Sequence, residues 1–429
     1  MKILFLDQSG QLGGAELCLA DIAQYFSKSC GESCDESRGE NRGKKADKNS
    51  NETCLVGVFE SGDFPAYLRQ RGIPVSVLAT QPLQVRKQSG LLTGVKSLNR
   101  LIPLIKTVVQ LSHTYDLIYA NTQKALVVGA IASYFSRTPL VYHLHDIVSP
   151  EHFSRLNRQI IVTLANQAAL VIANSEASRS AFLAAGGRAE RIHVVYNGFD
   201  LGRYKTVARS RSKLRAELDL ADKFVVGHFS RLSPWKGQHV LIEALQYCSS
   251  EVIVIFVGSD LFGESDYVQQ LKQQIEELGL GDRIKFLGFR SDIPELMSAC
   301  DLIAHTSTAA EPFGRVIVEG MLCDRPVVAA AAGGALEIIE HGQSEHGQSE
   351  HGQSEHDQSE HDQTGWLTPP GDAAKLAEAI QAVCTDPQAA GAIARRGQQR
   401  AQQRFGLKET HAQINRLIKT AIGQLATGK

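Results

Sequence analysis

The sequence predicts an α/β protein with two doubly wound parallel-sheet domains that face each other across a cleft. Short apolar runs alternate with helical stretches along almost the whole chain, which is typical of parallel strands covered by helices on both faces. A polar, basic segment without periodicity separates two such series. The 429 residues suffice for about two or three domains, each with a core of its own.

The first series of apolar runs predicts an N-terminal domain over residues 1–200. Its opening strand, residues 2–7, is followed by a loop with two adjacent glycines and by a helix from about Ala15 to Lys28. Later strands are predicted where short apolar runs are bounded by polar or turn-forming residues, at 54–59, 74–79, 116–120, 139–144 and 169–174.

The second series predicts a C-terminal domain over residues 223–404, after an inter-domain linker at 201–222. Its strands are expected at 224–229, 252–257, 284–287, 302–305, 326–330 and 365–367. Ligands of open parallel sheets bind beyond the carboxyl ends of the strands. We therefore expect the ligand in the crevice between the two domains.

Two segments interrupt the alternation of strands and helices. Residues 28–53 contain almost no large apolar side chain, so we predict a mobile insertion that cannot offset the entropy of ordering. Residues 341–365 are five copies of a pentapeptide of the HGQSE type and carry five of the 14 histidines. Two interpretations stay open: a tract that binds zinc or nickel, and an expanded surface loop at a site that tolerates insertion.

Composition excludes several classes of protein. A net charge of −1 argues against a general nucleic-acid binder. The eight cysteines form no C-x-x-C pair, and their scatter fits reduced thiols in the cytoplasm. No apolar run is long enough to span a bilayer, and the apolar start is too short for a signal peptide. We expect a cytoplasmic protein, either free or at the inner face of the plasma membrane.

One basic region raises the question of membrane contact. Between residues 64 and 115 there are seven Lys or Arg and no Asp or Glu, and residues 91–111 have an amphipathic helical pattern. A basic amphipathic helix is suited to docking on an anionic leaflet. The alternative is an internal helix that packs on the first sheet.

The stretch EPFGRVIVEG, residues 311–320, carries the strongest chemical pattern. Pro312 and Gly314 suit a tight loop that leads into a helix, and the helix N-terminus offers free N–H groups to an anion. Glu311 precedes the loop and Glu319 follows about one turn into the helix. The spacing predicts a bound anion with a hydroxyl-bearing group beside it.

Two further loops supply groups that favour phosphate. Gly13 and Gly14 follow the first strand directly and precede a helix, where backbone N–H groups can approach a phosphate. Arg231 and Lys236 follow the first strand of the second domain, in RLSPWKG, and two cations there can hold a diphosphate.

Together these motifs resemble the retaining glycosyltransferases of family 4, also described as glycosyl transferases group 1. The specific part is the pairing of RLSPWKG with EPFGRVIVEG some 75 residues later. Similar stretches elsewhere are GGAE at 13–16, VYHLHD at 141–146, VIANSEASR at 171–179, VVYNGFD at 194–200 and GWLTPPGD at 365–372. The resemblance implies a GT-B fold of two Rossmann-like domains, the first (1–200) on the acceptor side and the second (223–404) binding the nucleotide-sugar donor. The C-terminal helix, 405–429, is expected to cross back to the first domain.

The resemblance also implies roles for the acidic and basic residues. Glu311 resembles the family glutamate that lies at the transferred sugar, and Glu319 the one that binds the ribose. Arg231 and Lys236 match the pair that neutralises the leaving diphosphate. We expect both Lys236 and Glu311 to line an open crevice, so that their removal leaves the fold intact.

Other site residues are implied in the same way. His145 resembles the histidine near the sugar at the reaction centre, with His143 as a rival on the same strand face. The backbone around Phe313, Gly314 and Val316 would contact donor phosphate and sugar. Gly13 and Gly14 would contact the diphosphate, and Phe289 matches the region that meets the base. The turn Gly258-Ser259-Asp260 departs from the glycine-rich turn that the family has on the base side.

The expected function is therefore a retaining hexosyltransferase that uses a UDP- or GDP-sugar and a saccharide or lipid-linked acceptor, in cell-surface glycan or glycolipid synthesis. The sequence contains no D-x-D motif, so neither a metal nor another cofactor is expected; the nucleotide sugar is a substrate. Two alternatives are a nucleotide-sugar epimerase of the same architecture and a non-catalytic nucleotide-sugar-binding protein.

Overall fold

The computed structural model describes residues 1–35, 53–78, 91–205, 211–220, 222–260, 265–341 and 363–426. The chain divides into two compact units. Unit 1 comprises Met1–Asn197 and Lys408–Lys429, and unit 2 comprises Gly198–Leu407. The predicted pentapeptide repeat lies outside the described residues except for its ends. No helix of the described residues is long and apolar enough to cross a bilayer.

Unit 1 is a parallel sheet with helices on both faces. Its strands are β1 Ile3–Asp7, β2 Cys54–Val58, β3 Val75–Val77, β4 Leu117–Ala120, β5 Leu140–Leu144, β6 Leu170–Ala173 and β7 Ile192–Val194. The helices are α1 Gly14–Asp35, α2 Asp63–Gln70, α3 Leu91–Ser112, α4 Gln123–Ser136, α5 Arg155–Ala165 and α6 Glu176–Ala184. The strand order is β3-β2-β1-β4-β5-β6-β7, and every pairing between them is parallel.

Strand β1 shows why its sequence is apolar without alternation. Ile3 and Phe5 belong to one core cluster, and Leu4 and Leu6 to the cluster on the other face of the sheet. Successive side chains of a strand point to opposite faces, so a strand covered on both faces needs apolar residues throughout. The parallel, doubly wound prediction is confirmed.

Unit 2 repeats this architecture with a smaller sheet. It begins with α7 Leu201–Lys205 and α8 Arg211–Glu217. Its strands are β8 Phe224–Phe229, β9 Val252–Val257, β10 Ile284–Phe286, β11 Leu302–His305, β12 Val327–Ala330 and β13 Trp366–Thr368, in the parallel order β10-β9-β8-β11-β12-β13. The helices are α9 Gln238–Leu245, α10 Ser265–Glu277, α11 Ile293–Ala299, α12 Arg315–Leu322, α13 Ala335–Ile338, α14 Ala373–Thr385 and α15 Pro387–Arg404.

The last helix, α16 Leu407–Ala426, packs on unit 1. Ile414 and Ile418 are buried in the same cluster as Ile3 and Phe5. The ring centroid of His411 lies 4.8 Å from that of Tyr25. The end of the chain thus completes the core of the first unit, as the resemblance implied.

The structure departs from the sequence prediction in two segments. Helix α1 continues to Asp35, so the first residues of the predicted insertion at 28–53 are helical, and residues 36–52 lie outside the described residues. The predicted linker 201–222 contains α7 and α8 and belongs to unit 2. Arg211 and Arg215 hold α8 in place by ion pairs with Asp301, at 2.5 and 3.0 Å.

The described half of α3 is an internal helix. Leu104 and Val108 are buried in the core of unit 1, whereas Lys106 is exposed. Its apolar side is therefore already covered by the protein from residue 101 onward. The side chains of residues 91–100 lie outside the described residues, so membrane docking by this helix stays a prediction.

Candidate functional site

The charged residues and glycines that form the candidate site of unit 2 lie where three neighbouring strands end. The loop after β8 carries Arg231 and Lys236, the loop after β11 carries Glu311, and the loop after β12 carries Gly333 and Gly334. β8, β11 and β12 are adjacent in the sheet and parallel, so their carboxyl ends meet at one edge.

The carboxylate of Glu311 is the centre of this edge. Lys236 Nζ donates to its Oε1 at 2.6 Å, and His305 Nε2 lies 2.6 Å from its Oε2. Ser307 Oγ donates to the same Oε2 at 2.8 Å. The side chains of Glu311 and Lys236 are only 14% and 15% exposed. The two side chains form a mostly buried ion pair, so removing either one is expected to lower stability, contrary to the sequence-based expectation that the fold would be unaffected.

This set of partners keeps Glu311 ionised. Burial alone would raise the pKa of Glu311, but Lys236 and then His305 outweigh it, so that pKa lies well below the usual value of a glutamate. His305 and Ser307 were missed by the sequence reasoning, because a polar HTS run after a strand carries no spacing signal of its own.

The backbone of Lys236 is held from both sides of its loop. Thr306 Oγ1 lies 3.0 Å from the Lys236 carbonyl and 2.9 Å from that of Gly237, and His228 Nε2 contacts the same Lys236 carbonyl at 3.2 Å. Burial, together with His305, lowers the pKa of His228 to about 3, so this ring is neutral. The ammonium of Lys236 also lies 4.0 Å from the ring centroid of Trp235.

Two glycines after β12 fit against the backbone of the Glu311 loop. Gly334 N donates to the Glu311 carbonyl at 2.8 Å. Gly333 has a φ of 61°, and a Cβ atom there would lie 2.2 Å from the Glu311 carbonyl oxygen. Only glycine permits this approach. The position of Glu311 thus depends on a third loop that the sequence reasoning did not connect with it.

Helix α12 begins directly behind this carboxylate. Its N-cap, Gly314, has a φ of 98°. Phe313 is buried between Phe199 and Phe405, at centroid distances of 6.3 and 5.6 Å, so only its backbone is available to a ligand. Val316 lies in the first turn of the helix and is half-buried. In the first turn, the backbone N–H of Ile317 donates to the carbonyl of the N-cap Gly314 at 3.0 Å.

Glu319 lies one turn further along α12 and is paired within the helix. Arg315 Nη2 lies 3.3 Å from its Oε1. The guanidinium of Arg315 also lies 4.6 Å from the ring centroid of Phe199. Arg315 was not singled out from the sequence, although an Arg four residues before a Glu is the spacing of a helical ion pair.

The remaining predicted residues of unit 2 lie on neighbouring loops. The carbonyl of Arg231 accepts from Gln238 Nε2 at 2.9 Å, which shapes the loop five residues before Lys236. Phe289 follows β10 and is 69% exposed. Gly258 packs closely on the backbone before Arg231: a Cβ atom at Gly258 would lie 2.0 Å from the Ser230 carbonyl oxygen. The turn Gly258-Ser259-Asp260, which departs from the family pattern, therefore still packs its glycine directly on the backbone of the Arg231 loop.

Unit 1 has a cluster of polar side chains at the carboxyl ends of β1, β4 and β5. His145 follows β5, and its Nε2 lies 2.9 Å from Asn121 Oδ1. Asn121 Nδ2 donates to Asp7 Oδ2 at 2.7 Å and to the Ala15 carbonyl at 3.2 Å. Asn121 and Asp7 are buried, whereas His145 is partly exposed.

The rival histidine has a different environment. His143 is buried, and its Nδ1 lies 2.8 Å from the hydroxyl of Tyr119. Burial, and then the neighbouring His145, hold the pKa of His143 well below its usual value. Its ring packs on that of His145 with 3.9 Å between centroids. His145 is therefore the histidine of this strand that a ligand can reach.

The glycine loop of unit 1 is occupied by an acidic side chain. Gly13 precedes α1 and Gly14 is its first residue. Glu16, in the first turn, folds back so that its carboxyl group accepts from the backbone N–H of Gly13. Burial, and then Asp7, raise the pKa of Glu16 to about 8, and burial raises the pKa of Asp7 to about 6. Sequence reasoning named the two glycines and missed these carboxyl groups.

The raised pKa of Glu16 predicts that unit 1 loses stability as the pH rises. Between the ordinary pKa of a glutamate and about 8, the folded protein binds a proton that the unfolded chain does not, so the free energy of unfolding falls with pH. Glu16→Gln should be as stable as wild type near pH 5 and more stable at pH 8, by up to about 1.4 kcal/mol per pH unit crossed.

Thermal unfolding at several pH values tests this expectation. Glu176→Gln is the matched control, because Glu176 also lies in the first turn of a helix of unit 1 but is exposed and paired with Arg179 at 3.1 Å. The control should keep the pH dependence of wild type. Equal pH dependence of wild type and Glu16→Gln would contradict the assignment.

Comparison with known proteins gives two family matches. The model of "Glycosyl transferases group 1" matches residues 210–400, and that of "Glycosyltransferase Family 4" matches residues 64–203. Together the two ranges cover more than half of the chain.

Individual relatives agree with these models. HepE of Anabaena is 51% identical, and its structures with UDP, with UDP and glucose, and with UDP-glucose align over 98% of this chain and 100% of that one, at TM-scores of 0.79 to 0.81. D-inositol 3-phosphate glycosyltransferase 1 of Catenulispora acidiphila is 28% identical over 72% of this chain and 73% of its own length. Spore coat protein SA of Bacillus subtilis is 34% identical, but only 43% of its length is aligned.

Proposed function

The chain belongs to the glycosyltransferases of group 1 and family 4, and from this premise we propose that it transfers a hexose from a UDP-sugar to a saccharide or lipid-linked acceptor with retention of configuration. UDP-glucose is the first candidate donor, because a protein 51% identical over its whole length has been crystallised with it. Cell-surface glycan or glycolipid synthesis is the setting that such acceptors suggest.

The observation that carries the proposal is the ionised Glu311 held against Lys236. A carboxylate with three partners, two of them cationic or basic, has a fixed position at the edge of the sheet. In the proposed reaction Lys236 turns to the diphosphate, while His305 and Ser307 keep hold of Glu311. The carboxylate then binds hydroxyl groups of the transferred sugar.

The start of α12 supplies the rest of the donor contacts. Backbone N–H groups near Phe313, Gly314 and Val316 are proposed to donate to donor phosphate and sugar, where the helix dipole favours negative charge. Glu319 is proposed to exchange its contact with Arg315 for the ribose hydroxyls. Arg231 is the second cation for the diphosphate, and the exposed ring of Phe289 is proposed to meet the base.

In unit 1, Gly13 and Gly14 are proposed to approach the diphosphate with their backbone after the Glu16 carboxyl group gives up the Gly13 N–H. His145 is proposed to contact the transferred sugar. The bond between the anomeric carbon and the diphosphate oxygen breaks with its electron pair on that oxygen. The acceptor oxygen forms its bond to the same face of the anomeric carbon, and its proton passes to the leaving phosphate. Lys236 and Arg231 stabilise the developing charge, so no metal is required in the proposed step.

The test is a donor screen with purified full-length protein. UDP-glucose, UDP-galactose, UDP-N-acetylglucosamine, GDP-mannose and ADP-glucose are each incubated with the protein, and nucleotide release is followed with and without a lipid or oligosaccharide extract. We expect release of UDP that the extract accelerates, an α-linked product from an α-linked donor by NMR, and unchanged rates in EDTA.

Each other outcome rejects part of the proposal. Release of an epimerised sugar without acceptor would establish an epimerase. A raised melting temperature with UDP-sugars but no turnover with any acceptor would establish a binding protein. Activity that EDTA abolishes would show that a metal, and not Lys236 and Arg231 alone, neutralises the diphosphate.

A further inference from the structure

Asn121 lies between His145 and the glycine loop, two parts of the proposed site that are far apart in sequence. It is buried at the end of β4, with a side chain that contacts His145 on one side and the Asp7 and Ala15 oxygens on the other. Ala15 follows Gly13 and Gly14 directly. The Asn121 amide therefore connects His145 with the first turn of α1, the helix that follows the glycine loop.

The partners of Asn121 determine the orientation of its amide. The Ala15 carbonyl can only accept a hydrogen bond, and so can the ionised carboxylate of Asp7. Nδ2 must therefore point to these two oxygens, at 3.2 and 2.7 Å. A flipped amide would bring Oδ1 against both of them. Oδ1 is left to face His145 Nε2, at 2.9 Å.

The orientation of the amide in turn places the proton of the histidine. Because Oδ1 is only an acceptor, His145 Nε2 must donate, so a ring with a single proton carries it on Nε2. Nδ1 is then the basic nitrogen of the ring. His143, whose pKa is held well below its usual value, packs against this ring with 3.9 Å between centroids and 37° between planes, without adding charge.

We propose that Asn121 is the positioning residue of the site: it holds His145 as the Nε2–H tautomer, with Nδ1 as the acceptor for a sugar hydroxyl, and ties that histidine to the glycine loop through the Ala15 carbonyl. The role toward sugar rests on the proposed function, whereas the position of the proton does not. Asn121 itself touches no reacting atom in this scheme.

The proton position is tested by NMR on protein labelled with ¹⁵N in its histidines. Long-range ¹H–¹⁵N correlations distinguish the two ring nitrogens, and His145→Gln identifies the signals. Wild type should show a protonated Nε2 and an unprotonated Nδ1. Asn121→Ala should give a mixture of tautomers. Asn121→Asp should keep the Nε2–H tautomer, because it keeps the acceptor, while it cannot donate to Ala15.

A matched control is Asn174→Ala. Asn174 is also a buried asparagine after a strand of unit 1, but its Oδ1 accepts from Ser178 Oγ, at 3.0 Å. The His145 signals should not change in this variant. If Asn121→Ala fails to fold, Asn121→Ser and Asn121→Asp provide the comparison, with melting temperatures as the check.

Kinetics give the second readout. Asn121→Ala should lower kcat for UDP-sugar turnover about ten-fold, the equivalent of one net hydrogen bond of about 1.4 kcal/mol. A proton on Nδ1 in wild type, or an unchanged tautomer in Asn121→Ala, would overturn the proposal. If no donor is turned over, the proposed function fails, but the NMR result still decides the position of the proton.

Discussion

Glu311→Gln is expected to reduce turnover about 10²–10³-fold. The substitution removes the charge that faces the transferred sugar and leaves the side-chain volume almost unchanged. Losing one preorganised electrostatic contact of this kind commonly costs about 2.7–4 kcal/mol in activation free energy. Lys236→Met is expected to cause a loss of the same order, because Lys236 and Glu311 form one unit with 2.6 Å between Nζ and Oε1.

Stability separates the catalytic role of this pair from its structural role. Removing one partner of a buried ion pair leaves the other charge uncompensated, which commonly costs about 3–5 kcal/mol, whereas replacing both is often nearly neutral. The double variant Glu311→Gln with Lys236→Met should therefore recover stability relative to the single variants. It should not recover turnover. Chemical denaturation and initial-rate assays measure the two quantities on the same samples.

The control for this series is Glu378→Gln. Glu378 forms an ion pair with Lys375 at 2.8 Å, but both side chains are exposed on α14 of the same unit. An exposed pair contributes little, so stability and turnover should match wild type. Turnover of Glu311→Gln within a few-fold of wild type would refute the role of Glu311, as would a double variant that regains activity.

Gly237→Ala is expected to lower turnover about 100-fold although no functional group is removed. Gly237 has a φ of 71°, and an added Cβ would lie 1.9 Å from the Thr306 carbonyl oxygen. The backbone must move, and Lys236 precedes it directly. A displacement of about 1 Å at a reacting group can cost about 10²-fold in rate. The free energy of unfolding should also fall, and by more than the cost of placing an alanine in the left-handed conformation, because the contact with Thr306 adds to that cost.

Gly279→Ala isolates that conformational cost. Gly279 has a φ of 63°, and an added Cβ would meet nothing within 4 Å. It should therefore lose only about 1–2 kcal/mol of stability, the cost of the left-handed conformation, and keep wild-type turnover. If both alanine variants lose the same stability and keep their activity, the contact with Thr306 does not position Lys236.

Much of the fold could be predicted because burial on both faces of a parallel sheet demands uninterrupted apolar runs. β8, β9 and β11 begin and end where the sequence predicted them, since each run is buried almost throughout and sharply bounded. β7 was missed because the exposed His193 interrupts its short apolar run. Helices α7 and α8 were missed because arginines that bond to Asp301, and not an apolar stripe, hold α8 in unit 2.

The sequence predicted the motifs of the candidate site, but it did not predict which side chains contact one another there. Lys236 and Glu311 stand out in sequence, and the structure brings them within one hydrogen bond of each other. His305, Ser307 and Asn121 have no such signal. Asn121 meets His145 and Asp7, 24 and 114 positions away, only because their strands are neighbours in the sheet. His305 and Ser307 reach Glu311, 6 and 4 positions away, because the loop after β11 folds back on the end of its strand.

The sequence by itself determined the two parallel sheets, the family and the loops that carry chemical groups, because periodicity and short motifs are local properties of a chain. Only the tertiary structure decided which groups are charged. Glu311 is ionised because Lys236 and His305 outweigh its burial, and the pKa of Glu16 rises because burial and Asp7 oppose its charge. Desolvation and charge pairing depend on neighbours distant in sequence, so the protonation state of each carboxyl group follows from the fold.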